Sequence, residues 1–578
     1  MKTGYRFSLL PALLIALFGC QHRTQNLKII VTTDVHGSFF PDDINTGREL
    51  PLSLARVQSL IIAERSNPEQ ELVLLDNGDI IQGDPLVYYS SFEKPEEVHI
   101  CARVLNYMNY DAATMGNHDI EAGHTVYDKL VEESEFPWLA ANAVRTDNGE
   151  PYFQPYTILN KGGVKVAVLG LITPAIPSWL PPDIWSGMEF QDMVEAAAYW
   201  VDHISRKEKA DLLVGLFHAG MDFNYNNQNA QTHKNENAVR LVAEQVSGFD
   251  IIFCGHDHHM WNEELVDPDG GKVLILGSRS KAREVAVADI NLSRKAGKWI
   301  INKIEGINQE TGSLDADPSF MEEFSATQNE VREYVGRSLG TIDKTISSRE
   351  AFFGPSAFMD LIHQVQLDIS GAQISFAAPL SGNAEISKGE IVVGDMFELY
   401  KYENLLYTMK LSGKEILGYL NYSYAGWFNT METEDDHLIL LSQGEQGRFR
   451  TSRAYYNFDS AMGLKYVVDV RKPAGQMVKI LDMADGQPFD PGRDYLVAVN
   501  SYRGNGGGGH LVEGAGIPQE ELVKRLVNTT TKDLRFYMMR WIEEKKEISP
   551  EASGQWTVVP ANFLEKGKKK DYPILFKN

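Results

Sequence analysis

The chain has 578 residues, 43% of them hydrophobic, with 79 acidic against 55 basic side chains and a formal charge of −24. That length exceeds what one hydrophobic core supports, so at least two domains are expected. The acidic balance, with no basic stripe interleaved with aromatics, argues against binding polymeric nucleic acid, whose backbone demands clustered positive charge.

Lys2 and Arg6 give a basic start, Phe7 to Phe18 is an apolar run too short to span a bilayer, and Leu17-Phe18-Gly19-Cys20 is similar to a bacterial lipoprotein cleavage site. Cleavage removes residues 1–19 and leaves Cys20 diacylated. Gln21, where an aspartate would signal inner-membrane retention, favours the outer membrane. The expectation is a lipoprotein of the bacterial cell envelope, facing the periplasm or the cell surface and held to the membrane only through Cys20. No later apolar stretch approaches the length of a spanning helix. Cys101 and Cys254 stand in apolar surroundings that predict buried thiols, with a single bridge between them left open.

Short Val/Ile/Leu-rich strands are predicted at Lys28 to Val31, Leu72 to Leu75, Leu212 to Leu216 and Ile251 to Cys254, with a weaker run before Asn117. Each is followed by polar residues suited to metal binding: Asp34-Val-His36, Asp76-Asn-Gly-Asp79, Gly116-Asn117-His118-Asp119, His218, and His256-Asp257-His258. The carboxyl ends of strands are the expected place for chemistry in a layered α/β protein. Carboxylates, imidazoles and one amide, without thiolate, suit two divalent ions about 3.5–4 Å apart that share a bridging carboxylate and leave positions open for phosphate oxygens.

Strands at Val273 to Leu276 and Val285 to Leu292 close this part near residue 310, and the pattern Phe320, Phe324, Val331, Val335 suits one polar helix from Pro318 to Leu339, the interdomain connector. A second α/β domain follows, with strands at Gln373 to Phe376, Leu405 to Leu411, Tyr466 to Val470 and Tyr495 to Val499. The last strand runs into Asn500-Ser501-Tyr502-Arg503-Gly504-Asn505 and four glycines, a loop whose backbone can approach a ligand closely. From about Val558 the lysine-rich tail reads as a solvated extension.

The ordered set of motifs resembles the calcineurin-like metallophosphoesterases, and within them the bacterial 5′-nucleotidase and 2′,3′-cyclic-nucleotide 2′-phosphodiesterase/3′-nucleotidase family, over nearly the whole mature chain. The resemblance implies a four-layer β-sandwich flanked by helices (residues 20–315), a connector helix (316–342), an α/β nucleotide-binding domain (343–557) and a C-terminal extension (558–578), after a signal peptide (1–19). It implies Asp34, His36 and His258 as ligands of one metal, Asp79 as the bridge, and Asn117, His218 and His256 as ligands of the other. The ions are expected to be zinc or manganese, with magnesium or cobalt as alternatives. His118 is expected to touch the scissile phosphate, with Glu121 or Asp119 orienting it. Tyr402 and Tyr502 are expected to sandwich the nucleobase, and Asn404 to bond its edge.

Ala377-Ala378-Pro379, Asp76 to Pro85 and Glu236-Asn237-Ala238-Val239 resemble the cyclic-phosphodiesterase branch, although Glu121 stands where that branch usually has asparagine. The expected activity opens 2′,3′-cyclic nucleotides and removes the 3′-phosphate from a small nucleotide, in a monomer. The alternatives are a 5′-nucleotidase or UDP-sugar hydrolase and, from another class, a non-catalytic nucleotide-binding lipoprotein.

Overall fold

The computed structural model describes residues 24–225, 228–443 and 449–576; the signal segment, Cys20 and residue 21 lie outside them. Alternation along the first strands builds a sandwich. In Thr24–Thr32, Leu27, Ile29 and Val31 point inward to meet Val73 and Leu75 of Glu71–Asp76, while Ile30 and Leu74 point outward to a layer of helices. The opposing sheet supplies Val166, Val168, Val214, Leu216, Ile251 and Phe253 to the same interior, and its other face packs on a second helical layer through Leu169, Leu213 and Ile252. The result is the expected four-layer arrangement.

Each sheet has six strands. The first runs in the order Lys298–Glu310, Glu284–Lys295, Thr24–Thr32, Glu71–Asp76, Ala112–Thr114, Trp138–Leu139, and the second Trp261–Val266, Lys272–Gly277, Ile251–Cys254, Leu212–His218, Val164–Ile172, Tyr156–Lys161. Thr24–Thr32, Glu71–Asp76 and Ala112–Thr114 are mutually parallel, as are Leu212–His218 and Ile251–Cys254, so their carboxyl ends open on one edge of each sheet. The three-residue Ala112–Thr114 strand matches the weak pattern before Asn117.

The second domain is built on a five-stranded sheet in the order Ser460–Met462, Ile374–Ala377, Asp494–Asn500, Leu405–Ser412, Leu526–Asp533. The helix Gly413–Ala425 starts at a capping box in which Ser412 and Glu415 satisfy each other's backbone N–H groups. Among the described residues no helix is long and apolar enough to cross a membrane. Cys101 and Cys254 are both free and buried, which closes the question of a bridge between them.

Two expectations are corrected. The connector helix does not extend to 342: it spans Pro318–Val335 and stops at Gly336, and Ser338–Ile342 is a strand paired with Gly389–Val392 and Glu547–Ile548. Its apolar stripe is buried in the first domain's core, so the helix is part of that domain rather than a free linker. The tail is not a solvated extension. Trp556–Val559 pairs in parallel with Leu464–Asp469, and Ala561–Phe576 is a helix whose Phe563, Leu564, Tyr572 and Phe576 pack on the second core. Its lysines face outward, while Asp571 is fully buried and accepts the backbone N–H groups of Leu438 (2.8 Å) and Ile439 (2.9 Å) and His437 Nδ1–H (2.5 Å).

Replacing Asp571 by Leu strands two buried N–H groups, each costing about 1–3 kcal/mol. The thermal midpoint of the second domain, followed by calorimetry, is expected to fall clearly, whereas Lys569→Ala is expected to leave it unchanged.

Candidate metal centre and substrate cleft

The predicted ligands meet at the strand ends in a strained arrangement. Asp34 (φ 51°), His36 (49°), Asp79 (57°), His256 (71°) and His258 (56°) all occupy the left-handed region, which non-glycine residues enter only when their surroundings force them to. The forcing contacts are backbone bonds between loops: Asp34 N–H to Gly78 O (2.9 Å), His36 N–H to Asp79 O (2.9 Å) and Gly37 N–H to Ile80 O (3.0 Å). Gly116 leaves the room, because a Cβ there would stand 2.2 Å from Asp79 Oδ1.

Two clusters result. Asp34, His36 and His258 each offer a ligand atom within 4.8 Å of the others, and so do Asp79, His218 and His256. Asn117 Oδ1 completes the second, 2.8 Å from His256 Nδ1 and 3.2 Å from His218 Nε2. Asp79 Oδ2 lies 3.2 Å from the same His218 Nε2. The tautomers are set from outside: His36 Nδ1–H donates to Gln82 O (3.0 Å) and His218 Nδ1–H to Asn77 O (2.7 Å). Their Nε2 lone pairs therefore point inward, where His36 meets His258 Nε2 at 3.1 Å and His218 meets two oxygens.

Acceptors converging like this repel unless a cation lies among them, and oxygen and imidazole nitrogen are the donors divalent metals take. The residues present thus fit a pair of divalent ions. In the polypeptide alone protons play that part: burial disfavours the His218 imidazolium, but Asp79 and Asp34 outweigh it and raise its pKa to about 10. His36 is pushed down by burial and by the neighbouring His258.

His118 projects beside the first cluster, its ring 5.5 Å from that of His36. Its Nδ1–H donates to Glu121 Oε2 at 2.5 Å and its backbone N–H to Asp79 Oδ1 at 2.8 Å. Burial lowers the His118 pKa, but Asp79, Glu121 and Glu403 together raise it to about 9. The orienting carboxylate is Glu121. Asp119, expected as a second candidate, points the other way and accepts backbone N–H groups from Gly116 (2.8 Å), Asp79 (2.9 Å), Ile80 (3.0 Å) and Ile81 (3.1 Å), so it clamps the ligand loops and does not touch the imidazole.

The second domain faces this centre. Tyr402 stands T-shaped against Tyr456, ring centroids 6.5 Å apart, and its phenol feels the charge of Glu121. Tyr502 lies under the Arg503 guanidinium (5.3 Å) and against Gly507, where a Cβ would stand 2.5 Å from its ring. Asn404 is buried, its carbonyl accepting Leu534 N–H (2.8 Å). His259 Nδ1 turns to Asp257 O (2.6 Å), outside both clusters.

Several supports escaped the sequence reading. Glu236 Oε1 lies 3.3 Å from His256 Nε2, and Trp179 stacks on His256 (5.5 Å, 26°) while its carbonyl accepts from Asn505 Nδ2 of the glycine loop (3.2 Å). Arg503 forks onto Asp459 (3.0 and 2.9 Å) and bonds Gly507 O (2.9 Å), fixing the Tyr502 loop. Arg535, fully buried, bonds Tyr400 O (3.0 Å), Lys401 O (2.7 Å) and Glu403 Oε1 (3.0 Å), fixing the Tyr402 loop. Arg503 and Glu236 stand in segments already singled out in the sequence, though neither segment signals these contacts; Trp179, Asp459 and Arg535 have no local signal.

The calcineurin-like phosphoesterase family model matches residues 27–260 and the 5′-nucleotidase C-terminal domain model residues 336–513. The chain is 28% identical to a trifunctional nucleotide phosphoesterase protein of Bacillus subtilis, over 93% of this chain and 39% of that longer protein. It is 26% identical to a 2′,3′-cyclic-nucleotide 2′-phosphodiesterase/3′-nucleotidase of Haemophilus influenzae, over 94% of this chain and 88% of the relative. A solved Staphylococcus aureus structure described as a 5′-nucleotidase superposes with a TM-score of 0.74 at 20% identity, covering 92% of this chain and all of that one.

Glu121→Gln is expected to keep metal content near wild type and lower turnover about 10²-fold. Asp119→Ala, which frees four loop N–H groups, is expected to lose metal as well, measured by elemental analysis after gel filtration.

Proposed function

We infer that this chain, which belongs to the two-domain nucleotidase family of calcineurin-like phosphoesterases, is a metal-dependent hydrolase that opens 2′,3′-cyclic nucleotides and removes the 3′-phosphate to release nucleosides. The observation that carries the reading is the His118–Glu121 pair set between two metal-type clusters on one domain and the Tyr402 and Tyr502 loops on the other. The cyclic branch is favoured over a 5′-nucleotidase because relatives bearing the cyclic-phosphodiesterase name match at 26–28% over 93–97% of this chain. Relatives named UshA or 5′-nucleotidase match at 22–25% over 73–88%.

Two divalent ions, zinc or manganese by the mixed imidazole and carboxylate donor set, would neutralise phosphoryl charge and lower the pKa of water at the site. The chain's own part is positioning and proton transfer. Tyr402 and Tyr502 hold the base, their flat faces accepting any base at about 1–3 kcal/mol per stacked contact. With Nδ1 anchored on Glu121, the protonated His118 presents Nε2–H toward the leaving oxygen. In the first step water adds to phosphorus, the P–O2′ bond breaks and O2′ takes that proton, leaving a 3′-phosphate. In the second another water adds to phosphorus, the P–O3′ bond breaks and O3′ takes a proton from His118, giving phosphate and nucleoside; in each step the proton released by the attacking water restores the His118 imidazolium. The same reading makes the protein a monomeric lipoprotein anchored at Cys20, supported by the Leu17-Phe18-Gly19-Cys20 motif.

Release of phosphate and nucleoside from 2′,3′-cyclic AMP, 3′-AMP, 5′-AMP and UDP-glucose by mature protein with Mn²⁺ or Zn²⁺ is expected to favour the first two and to vanish on chelation. Preference for the last two transfers it to the 5′-nucleotidase side, and metal-loaded protein without turnover to the non-catalytic class. Tyr402→Ala and Tyr502→Ala are each expected to raise KM for 2′,3′-cyclic AMP roughly 5- to 100-fold. Neither is expected to change turnover of bis(4-nitrophenyl) phosphate, which carries no base.

A further inference from the structure

Beside the His118–Glu121 pair lies a narrow cavity with about 10 Å³ of room, lined among others by Gln82, Tyr88, His118, Glu121 and Glu403. That is the space of about one ordered water. Four of these residues belong to the phosphoesterase domain, whereas Glu403 comes from the second domain, between Tyr402 and Asn404. Its Oε1 is held by Arg535 Nη1 at 3.0 Å, and its side chain is only 10% exposed.

Two polar atoms in this cavity wall have no protein partner. Glu403 Oε2 and Gln82 Nε2 are both buried and unbonded, one an acceptor and the other a donor. Gln82 is tied to the metal side as well, since its carbonyl accepts His36 Nδ1–H. An unsatisfied buried group costs about 1–3 kcal/mol, so an unbonded donor and an unbonded acceptor on residues lining one water-sized space call for a bridging molecule. Electrostatics agrees: burial raises the Glu403 carboxyl, Arg535 opposes the rise and Glu121 adds to it, and the Glu403 charge in turn favours the His118 imidazolium.

We propose that Glu403 is a positioning residue for the His118–Glu121 pair, acting through one ordered water that donates to Glu403 Oε2 and to the Glu121 carboxylate and accepts from Gln82 Nε2. The proposal rests on the reading of His118 as the proton donor. The water holds Glu121, and through it the imidazole plane, and its third anchor arrives only when the second domain sits against the first. Because Glu403 is adjacent to the base-stacking Tyr402 and shares the Arg535 staple, ordering of that loop by a bound base and alignment of the proton donor become one event. A nucleotide then gains turnover as well as affinity from its base.

The test uses Glu403→Gln, which keeps an oxygen for Arg535 but turns an amide toward the cavity, and Gln82→Leu, which removes the opposite donor and leaves the Arg535 pair intact. With 2′,3′-cyclic AMP and metal-loaded protein, each is expected to lower kcat about tenfold with KM within about twofold, as supports of reacting groups do. The double variant is expected to fall no further than either single one, and neither change is expected to matter in a His118→Ala background. The downfield Nδ1 proton resonance of His118, assigned by its loss in His118→Ala, is expected to shift in both variants of the zinc-loaded protein. Unchanged kcat in either folded variant, effects that multiply with His118→Ala, or an unmoved resonance overturns the proposal. Should Glu403→Gln fail to fold, Gln82→Leu carries the test alone. Wild-type protein that turns over no substrate overturns the functional reading instead, and the resonance still decides whether Glu403 reaches the imidazole.

Discussion

Everything at the catalytic edge depends on holding electron-rich atoms close together against their own repulsion. Imidazole nitrogens, two carboxylates and an amide oxygen converge, with outside hydrogen bonds fixing the His36 and His218 rings. Such a cluster calls for positive charge inside it, protons or metal ions, and the backbone accepts left-handed torsions at five of the converging residues to build it. Asp119 is the keystone, since one carboxylate collects the N–H groups of two ligand loops at once and keeps Asp79 and Asn117 in register. Its carboxylate is buried for that structural purpose, which is why it does not meet the imidazole of His118, its neighbour in the chain.

The second domain repeats this logic with cations of its own. Arg503 and Arg535 are both buried, each paired with a carboxylate and each spending its remaining donors on loop carbonyls. A planar guanidinium with five donors can staple a loop from one side, which lysine cannot. The two staples fix the two tyrosine loops independently. Arg535 also lies 4.8 Å from the Tyr88 ring of the first domain, and Tyr88 bonds Asp533 at 3.1 Å, so the Tyr402 loop and the domain contact share one support.

The strands ahead of Asp34, Asp79, His218 and His256 were legible because buried parallel strands are short apolar runs and their ends carry the chemistry. The long edge strand Lys298–Glu310 was not, because alternating polar and apolar residues on a half-exposed hairpin leave no continuous run. The C-terminal helix was misread for a related reason: its lysines dominate the local composition, while the single aspartate that docks it reveals its role only against Leu438 and Ile439. Glu121 and Asp119 lie within one helical turn, and composition alone could not tell which faces the imidazole.

The sequence by itself determined which metal-type side chains the chain carries, their order, and the two aromatic loops, because these are local features, each written in a few adjacent residues. Only the tertiary structure decided what those residues lean on. Glu236 behind His256, Trp179 stacked on it, Asp459 under Arg503 and Glu403 beside the His118–Glu121 pair are separated from their partners by 20 to 285 residues of chain. The physical reason is that a hydrogen bond or ring contact depends on distance in space. Strand periodicity records which face is buried but not which distant side chain arrives to meet it.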